Sequence, residues 1–165
     1  MLAPPGSPDY NKLGKVQPVI DSLCESFQSV YTPGKNVSVD EAMIPFKGQS
    51  TLKQYMPMKP VKRGIKVWAL ADAANGFIAN FQVYTGKRGD QVEKGLGANV
   101  VTTLTKPYVN SFSHIYFDNF FTGVDLLDLE GANLYSCGTI RTNGKGFPTQ
   151  LKPVVKKRDE GERRE

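Results

Sequence analysis

The sequence predicts an α/β domain in which a mixed sheet is flanked by helices, and three observations lead there. Two apolar, strand-like runs, GIKVWALAD at 64–72 and FIANFQVYTG at 77–86, flank Asn75-Gly76. That pair signals a hairpin, because both positions tolerate positive φ. A run with helical spacing precedes these strands. Later strand-like runs are separated by helical stretches, which favours parallel crossovers.

Each element can be justified in order. Val16, Val19, Ile20, Leu23, Phe27 and Val30 recur at the 3.6-residue period, so they predict one amphipathic helix. Pro18 fits it only in the first turn, and TPG at 32–34 stops it. NVSVDEAMIPF follows, and Val37 and Val39 predict a short strand that carries Asp40 at its end. After the hairpin, Asp90 and Glu93 resemble a capping box. Val92, Leu96 and Val100 share the face of the helix they would open, and Pro107 ends it. Gly95 and Gly97 each weaken that helix by about 1 kcal/mol relative to Ala. SHIYFD at 113–118 is a fourth strand. Thr122 can cap a short helix with Val124, Leu127 and Leu129, ending at Gly131, and NLYSCGTI at 133–140 is a fifth strand. Residues 1–9 are Pro-rich and expected to be loose, and 152–165 read as a charged tail. Three strands, then strands joined through helices, is the ribonuclease H-like order. That fold places one carboxylate on the first strand and a second at the end of the fourth, the positions of Asp40 and Asp118.

Composition narrows the chemistry. At 165 residues and 39% hydrophobic, the chain is long and apolar enough for one domain with a real core. No apolar stretch reaches the ~20 residues that span a bilayer. The start, MLAPPGSPDY, lacks the basic and apolar regions of a signal peptide, so an intracellular protein is expected. Cys24 and Cys137 are isolated, and His114 is the single histidine. A disulfide framework, a zinc cluster and a histidine-based triad are therefore disfavoured. Any metal must be held by oxygen, which favours Mg²⁺ or Mn²⁺.

An apolar run that ends on a carboxylate needs a cap, a partner or a metal, because an unpaired buried charge costs several kcal/mol. Asp118 can cap a turn, since Asp-Asn is good turn chemistry. On the residues alone that cap is the leading reading, and the matching Asp40 keeps a metal site open beside it. Glu41 should point to the opposite face of its strand and be structural. Asp72 lies beside the Asn75-Gly76 turn and is assigned a turn role. Between Lys53 and Lys66 lie Lys59, Lys62 and Arg63 with no acid among them. They form either a solvated loop or a track for a phosphate backbone, with Tyr55 nearby. Arg141 and Lys145 are weaker candidates. Trp68, His114, Cys24 and Cys137 read as packing residues.

VDEAMIPFKGQSTLKQYMPMKPVKRGIKVWALAD, followed by FQVYTGK, HIYFDNFFTG and CGTIRTNGKGFP, resembles the catalytic core of piggyBac-type transposases and of the domesticated, transposable element-derived proteins related to them. The resemblance runs from about Asp9 to Lys157. It implies a DDE transposase domain over 10–151, with Asp40 of V-D-E and Asp118 of F-D-N-F-F-T as the first two catalytic, metal-binding aspartates. It implies Mg²⁺ or Mn²⁺ as cofactor, DNA cleavage and strand transfer as chemistry, and DNA contact by Lys59, Lys62 and Arg63. It further implies a homodimer and a nuclear location, with no membrane partner. The third acid of the family lies in a G-G-V-D motif, and a cysteine-rich zinc-binding domain follows it. Neither is found in this sequence, and GVD at 123–125 falls in the wrong place, so a C-terminally incomplete site without activity of its own is expected. The competing reading is a domesticated, non-catalytic module that binds DNA or protein.

Overall fold

A computed structural model describes residues 7, 10–86, 95–123, 126, 130–143 and 147–152. The first helix, α1, spans Gln17–Val30 with a proline in its first turn, where no backbone donor is lost. Four strands follow, β1 at Asn36–Pro45, β2 at Lys53–Tyr55, β3 at Arg63–Asp72 and β4 at Ile78–Val83. Helix α2 spans Leu96–Thr105 and runs into a 3₁₀ turn, Lys106–Tyr108. Strands β5, His114–Phe117, and β6, Tyr135–Gly138, complete the sheet.

The sheet order is β2-β3-β1-β5-β6, with β4 also paired to β3. β1 and β3 are antiparallel from Val37–Asp72 to Pro45–Gly64. β5 is parallel to β1, and β6 is parallel to β5. The expected mixed sheet is therefore present. The strand expected as fourth is β5, because Lys53–Tyr55 adds a short strand along the start of β3. The basic segment ahead of the strand expected from residue 64 is therefore not all loop. Lys53–Tyr55 and Arg63–Lys66 are paired strand, and the loop is only 56–62.

The core follows from period-2 alternation. Val37 and Val39 of β1, Trp68 and Leu70 of β3, and Ile115 and Phe117 of β5 are buried against Val100, Val101 and Leu104 of α2. Burying each of these side chains fully contributes roughly 1.5–3 kcal/mol. Asn80 of β4 donates to the Leu104 carbonyl at 2.9 Å, so its face meets α2. Phe81, one residue on, stacks on Phe27 of α1. The two helices thus cover opposite faces of the sheet.

Local expectations change in detail or fall outside the described residues. The turn after β3 uses positive φ only at Gly76, while the Asn75 side chain accepts the Phe77 N–H at 2.8 Å. α2 begins at Leu96 behind Gly95, which has a φ of 73°. Asp90, Val92 and Glu93 lie outside the described residues. So do Val124, Leu127 and Leu129 of the short helix expected after Thr122. Leu126 is buried, and a 3₁₀ turn occupies Glu130–Ala132. Cys24 is partly buried, its thiol 3.7 Å from the Phe81 carbonyl. Cys137 is exposed and does not pack, because it falls on the outer face of β6. Among the described residues, no helix is long and apolar enough to cross a membrane.

Candidate active site

The parallel pairing of β1 with β5 ends at Val39 opposite Phe117. Asp40 and Asp118 are the next residue on each strand. Neighbouring strands lie about 4.8 Å apart, and residues in parallel register point to the same face. Val39 and Phe117 face the core, so alternation turns the two aspartates to the other side. Both aspartates are exposed. Asp40 Oδ1 accepts the N–H of Glu41 at 2.7 Å. Asp118 Oδ1 accepts the N–H of Phe120 at 2.9 Å, and its carbonyl accepts from Thr122 Oγ1 at 2.8 Å. Asp118 therefore does shape the turn that follows it. Each carboxylate keeps its second oxygen unpartnered among the described residues.

Two glycines fix the loop that carries Asp118. A Cβ on Gly97 of α2 would lie 2.5 Å from the Phe120 carbonyl oxygen and 2.8 Å from the Phe121 Cα. A Cβ on Gly138 of β6 would lie 2.5 Å from Thr122 Oγ1. Only glycine lets the helix and the strand approach this loop so closely. Arg141 donates to Asn119 Oδ1 at 3.3 Å, next to Asp118.

Glu41 turns to the core side, as alternation requires, and there it meets two lysines. Lys66 Nζ lies 2.6 Å from Oε2, and Lys59 Nζ lies 3.1 Å from Oε1. Burial pushes the Glu41 carboxyl up, but the hydrogen bonds and charges of Lys66 and Lys59 outweigh it and hold the group below the usual carboxylate range. Lys66 also sits over the rings of Trp68, Tyr84 and Phe120, at 5.4, 5.6 and 5.2 Å. Such cation–π contacts strengthen as water is excluded, and the Lys66 side chain is only 11% exposed. The chain Glu41, Lys66, Phe120 thus connects the Asp40 strand to the Asp118 loop. Sequence reasoning missed it. Lys66 and Phe120 are distant in sequence, and no spacing rule pairs them.

The three basic candidates have different surroundings. Lys59 is partly buried on Glu41. Its ammonium is held above the usual lysine range by the hydrogen bond to Glu41, against desolvation, and further by the charges of Glu41, Asp40 and Asp118. Lys62 is exposed, and its side chain has no partner among the described residues. Arg63 stacks on the exposed ring of Tyr55 at 5.0 Å. Trp68 is 2% exposed and belongs to the core. His114 meets Tyr135 edge-on at 5.2 Å within the sheet. Lys145 and the tail acids lie outside the described residues.

The family model described as Transposase IS4 matches residues 2–164. The chain belongs to this transposase family. It is 32% identical over 159 residues to human piggyBac transposable element-derived protein 3, an overlap of 92% of this chain and 26% of that protein. To human piggyBac transposable element-derived protein 2 it is 27% identical over 137 residues, covering 79% of this chain and 23% of that one. A cryo-EM structure of a piggyBac transposase synaptic complex with hairpin DNA superposes with a TM-score of 0.77 at 30% identity. That match covers 89% of this chain and 31% of the transposase. The sheet is thus the ribonuclease H-like sheet of the DDE transposases, and the chain spans about a quarter to a third of the length of these relatives.

Proposed function

We propose that Asp40 and Asp118 are two of the acids of a divalent-metal site for DNA strand cleavage and joining. The observation that carries this is the register, which ends the parallel pairing of β1 with β5 at Val39 and Phe117 and so sets Asp40 beside Asp118. Asp40 lies within a β1 that runs on to Pro45, rather than at its end as expected, and both aspartates are exposed, with free oxygens among the described residues. The donors fit the metal in kind, because carboxylate oxygen suits Mg²⁺ and Mn²⁺. Among the described residues no group of three or more metal-binding side chains occurs. The ion, when bound, would stabilise the charge that develops on the phosphodiester oxygens. The protein's own part is to hold two carboxylates rigidly, through the sheet and through the Gly97 and Gly138 contacts.

Lys62 and Arg63 are the residues in this reading that meet the DNA backbone, with Tyr55 as a flat surface beside Arg63. Lys59 belongs to the same segment but is turned to Glu41. The piggyBac transposase whose structure resembles this chain is in a synaptic complex with DNA, which supports DNA as partner. A homodimer and a nuclear location belong to the same reading. The test is Mn²⁺ binding, followed by electron paramagnetic resonance of the free ion. Asp40→Asn and Asp118→Asn should each weaken it at least about ten-fold, since each removes a charged ligand from a site with few. Binding unchanged in both variants would place the ion elsewhere.

A further inference from the structure

Each of the two aspartates is steered by one backbone donor. Asp40 Oδ1 accepts the N–H of Glu41 at 2.7 Å, and Asp118 Oδ1 accepts the N–H of Phe120 at 2.9 Å. The side chains of those two donor residues meet at a single atom. Lys66 Nζ lies 2.6 Å from Glu41 Oε2 and 5.2 Å from the centre of the Phe120 ring. Lys66 is itself well fixed. It belongs to β3, its side chain is only 11% exposed, and the rings of Trp68 and Tyr84 hold its ammonium from two further sides. Glu41 does not need Lys66 for neutrality, because Lys59 Nζ already holds its other oxygen at 3.1 Å. Phe120 is 46% exposed, so apolar packing alone holds its loop loosely.

We propose that Lys66 is a positioning residue for the Asp40–Asp118 pair. It ties together the two residues whose N–H groups aim the carboxylates, and so sets how the free oxygens face a divalent ion. The inference rests on the metal reading of that pair. Lys66 acts through Glu41 and Phe120, as outer partners of metal ligands do.

The experiment follows Mn²⁺ binding by electron paramagnetic resonance of the free ion, below the melting temperature of each protein. It compares wild type, Lys66→Met, Lys66→Arg, Phe120→Leu, Lys66→Met combined with Phe120→Leu, and Asp118→Asn. By charge alone, loss of a cation near the pair tightens Mn²⁺ binding. Positioning has the opposite sign. Lys66→Met should weaken binding about ten-fold, the lower end of what substitutions at outer partners cost. Phe120→Leu keeps the N–H on Asp118 but removes the ring, and should weaken binding too. The combined variant should be no weaker than Lys66→Met, since both changes break one connection. Lys66→Arg keeps a cation that pairs with carboxylates and stacks on rings, and should stay within about three-fold of wild type. If Lys66→Met melts out, Phe120→Leu, at an exposed loop position, decides. Unchanged or tighter binding in the deciding variant, with Asp118→Asn still impaired, overturns the positioning role alone, as do losses that multiply in the combined variant. Wild-type Mn²⁺ binding in Asp118→Asn overturns the metal reading beneath it.

Discussion

Asp72 and Asp40 both lie on strands that precede a change of chain direction, yet only one is fully explained by the fold. Asp72 is 2% exposed, and three donors converge on it. The N–H groups of Gly34 and Ala74 each donate at 2.7 Å, and the Tyr31 hydroxyl at 2.8 Å. These bonds, Gly34 first, hold its carboxyl below the usual range despite desolvation. The same bond from Tyr31 to Asp72 raises the tyrosine above its usual range, so Tyr31 remains a donor. The turn role expected for Asp72 is the one the structure shows. Asp40 has only the N–H of its neighbour, and the fold offers no reason for its charge. A pH experiment separates the two residues. The lowered Asp72 stabilises the fold above its unfolded pKa of about 4, and that contribution fades as pH falls through the folded value. Asp72→Asn should melt below wild type at neutral pH, and the gap should close as pH drops below about 4. A gap independent of pH would mean that packing, not charge, was lost. Asp40→Asn should leave neutral-pH melting within about 0.5 kcal/mol of wild type, as an exposed position does.

Between elements, stability and site geometry meet at Gly97. The glycine weakened the helix as read from propensity, and its reason is visible only in three dimensions, in the backbone of Phe120 and Phe121. Gly97→Ala should lower unfolding free energy by about 1–3 kcal/mol, because α2 or the Asp118 loop must move aside. Denaturant melts measure this. A stabilised Gly97→Ala would mean that helix propensity dominates and the approach relaxes freely. The same contrast explains what the sequence made legible. α1, β1, β3, β4, β5 and β6 follow from apolar periodicity, which each segment carries within itself. β2 was not legible, since Lys53–Tyr55 has no apolar alternation and exists through backbone pairing with β3. The alignment of β1 with β5 followed from the fold order, whereas the Lys66 contacts join residues of β1 and β3, Tyr84 just past β4, and the Asp118 loop. The basic loop invites a salt test. Each phosphate neutralised on duplex DNA contributes about −0.9 to the slope of log affinity against log salt. Neutralising Lys59, Lys62 and Arg63 together should flatten that slope by about 2, the share of Lys62 and Arg63, while Lys59 stays on Glu41. An unchanged slope would return the loop to plain surface.

At the scale of the molecule, the question is what two aligned aspartates can do on a sheet this size. The fold supplies the rigid frame, with β1 central, β3 and β5 on either side, and α2 sealing the core face. The formal net charge of +5 supports encounter with a polyanion. Two-metal phosphoryl transfer asks for more. Ions about 3.5–4 Å apart must both be held while the attacking and leaving oxygens stay in line. Asp40 and Asp118 offer two carboxylates, and among the described residues no third metal-binding side chain joins them. Misplacement by even about 1 Å can cost ~10²-fold in rate, and an ion that is absent costs more. The 165-residue chain should therefore bind duplex DNA weakly and leave it intact. The measurement is nicking and joining of labelled transposon-end duplex in Mg²⁺ and in Mn²⁺, with Asp40→Ala as the control. Product from the wild type should not exceed that from the variant. Metal-dependent nicking by the wild type alone would show that Asp40 and Asp118, completed by some other ligand, suffice for the strand chemistry.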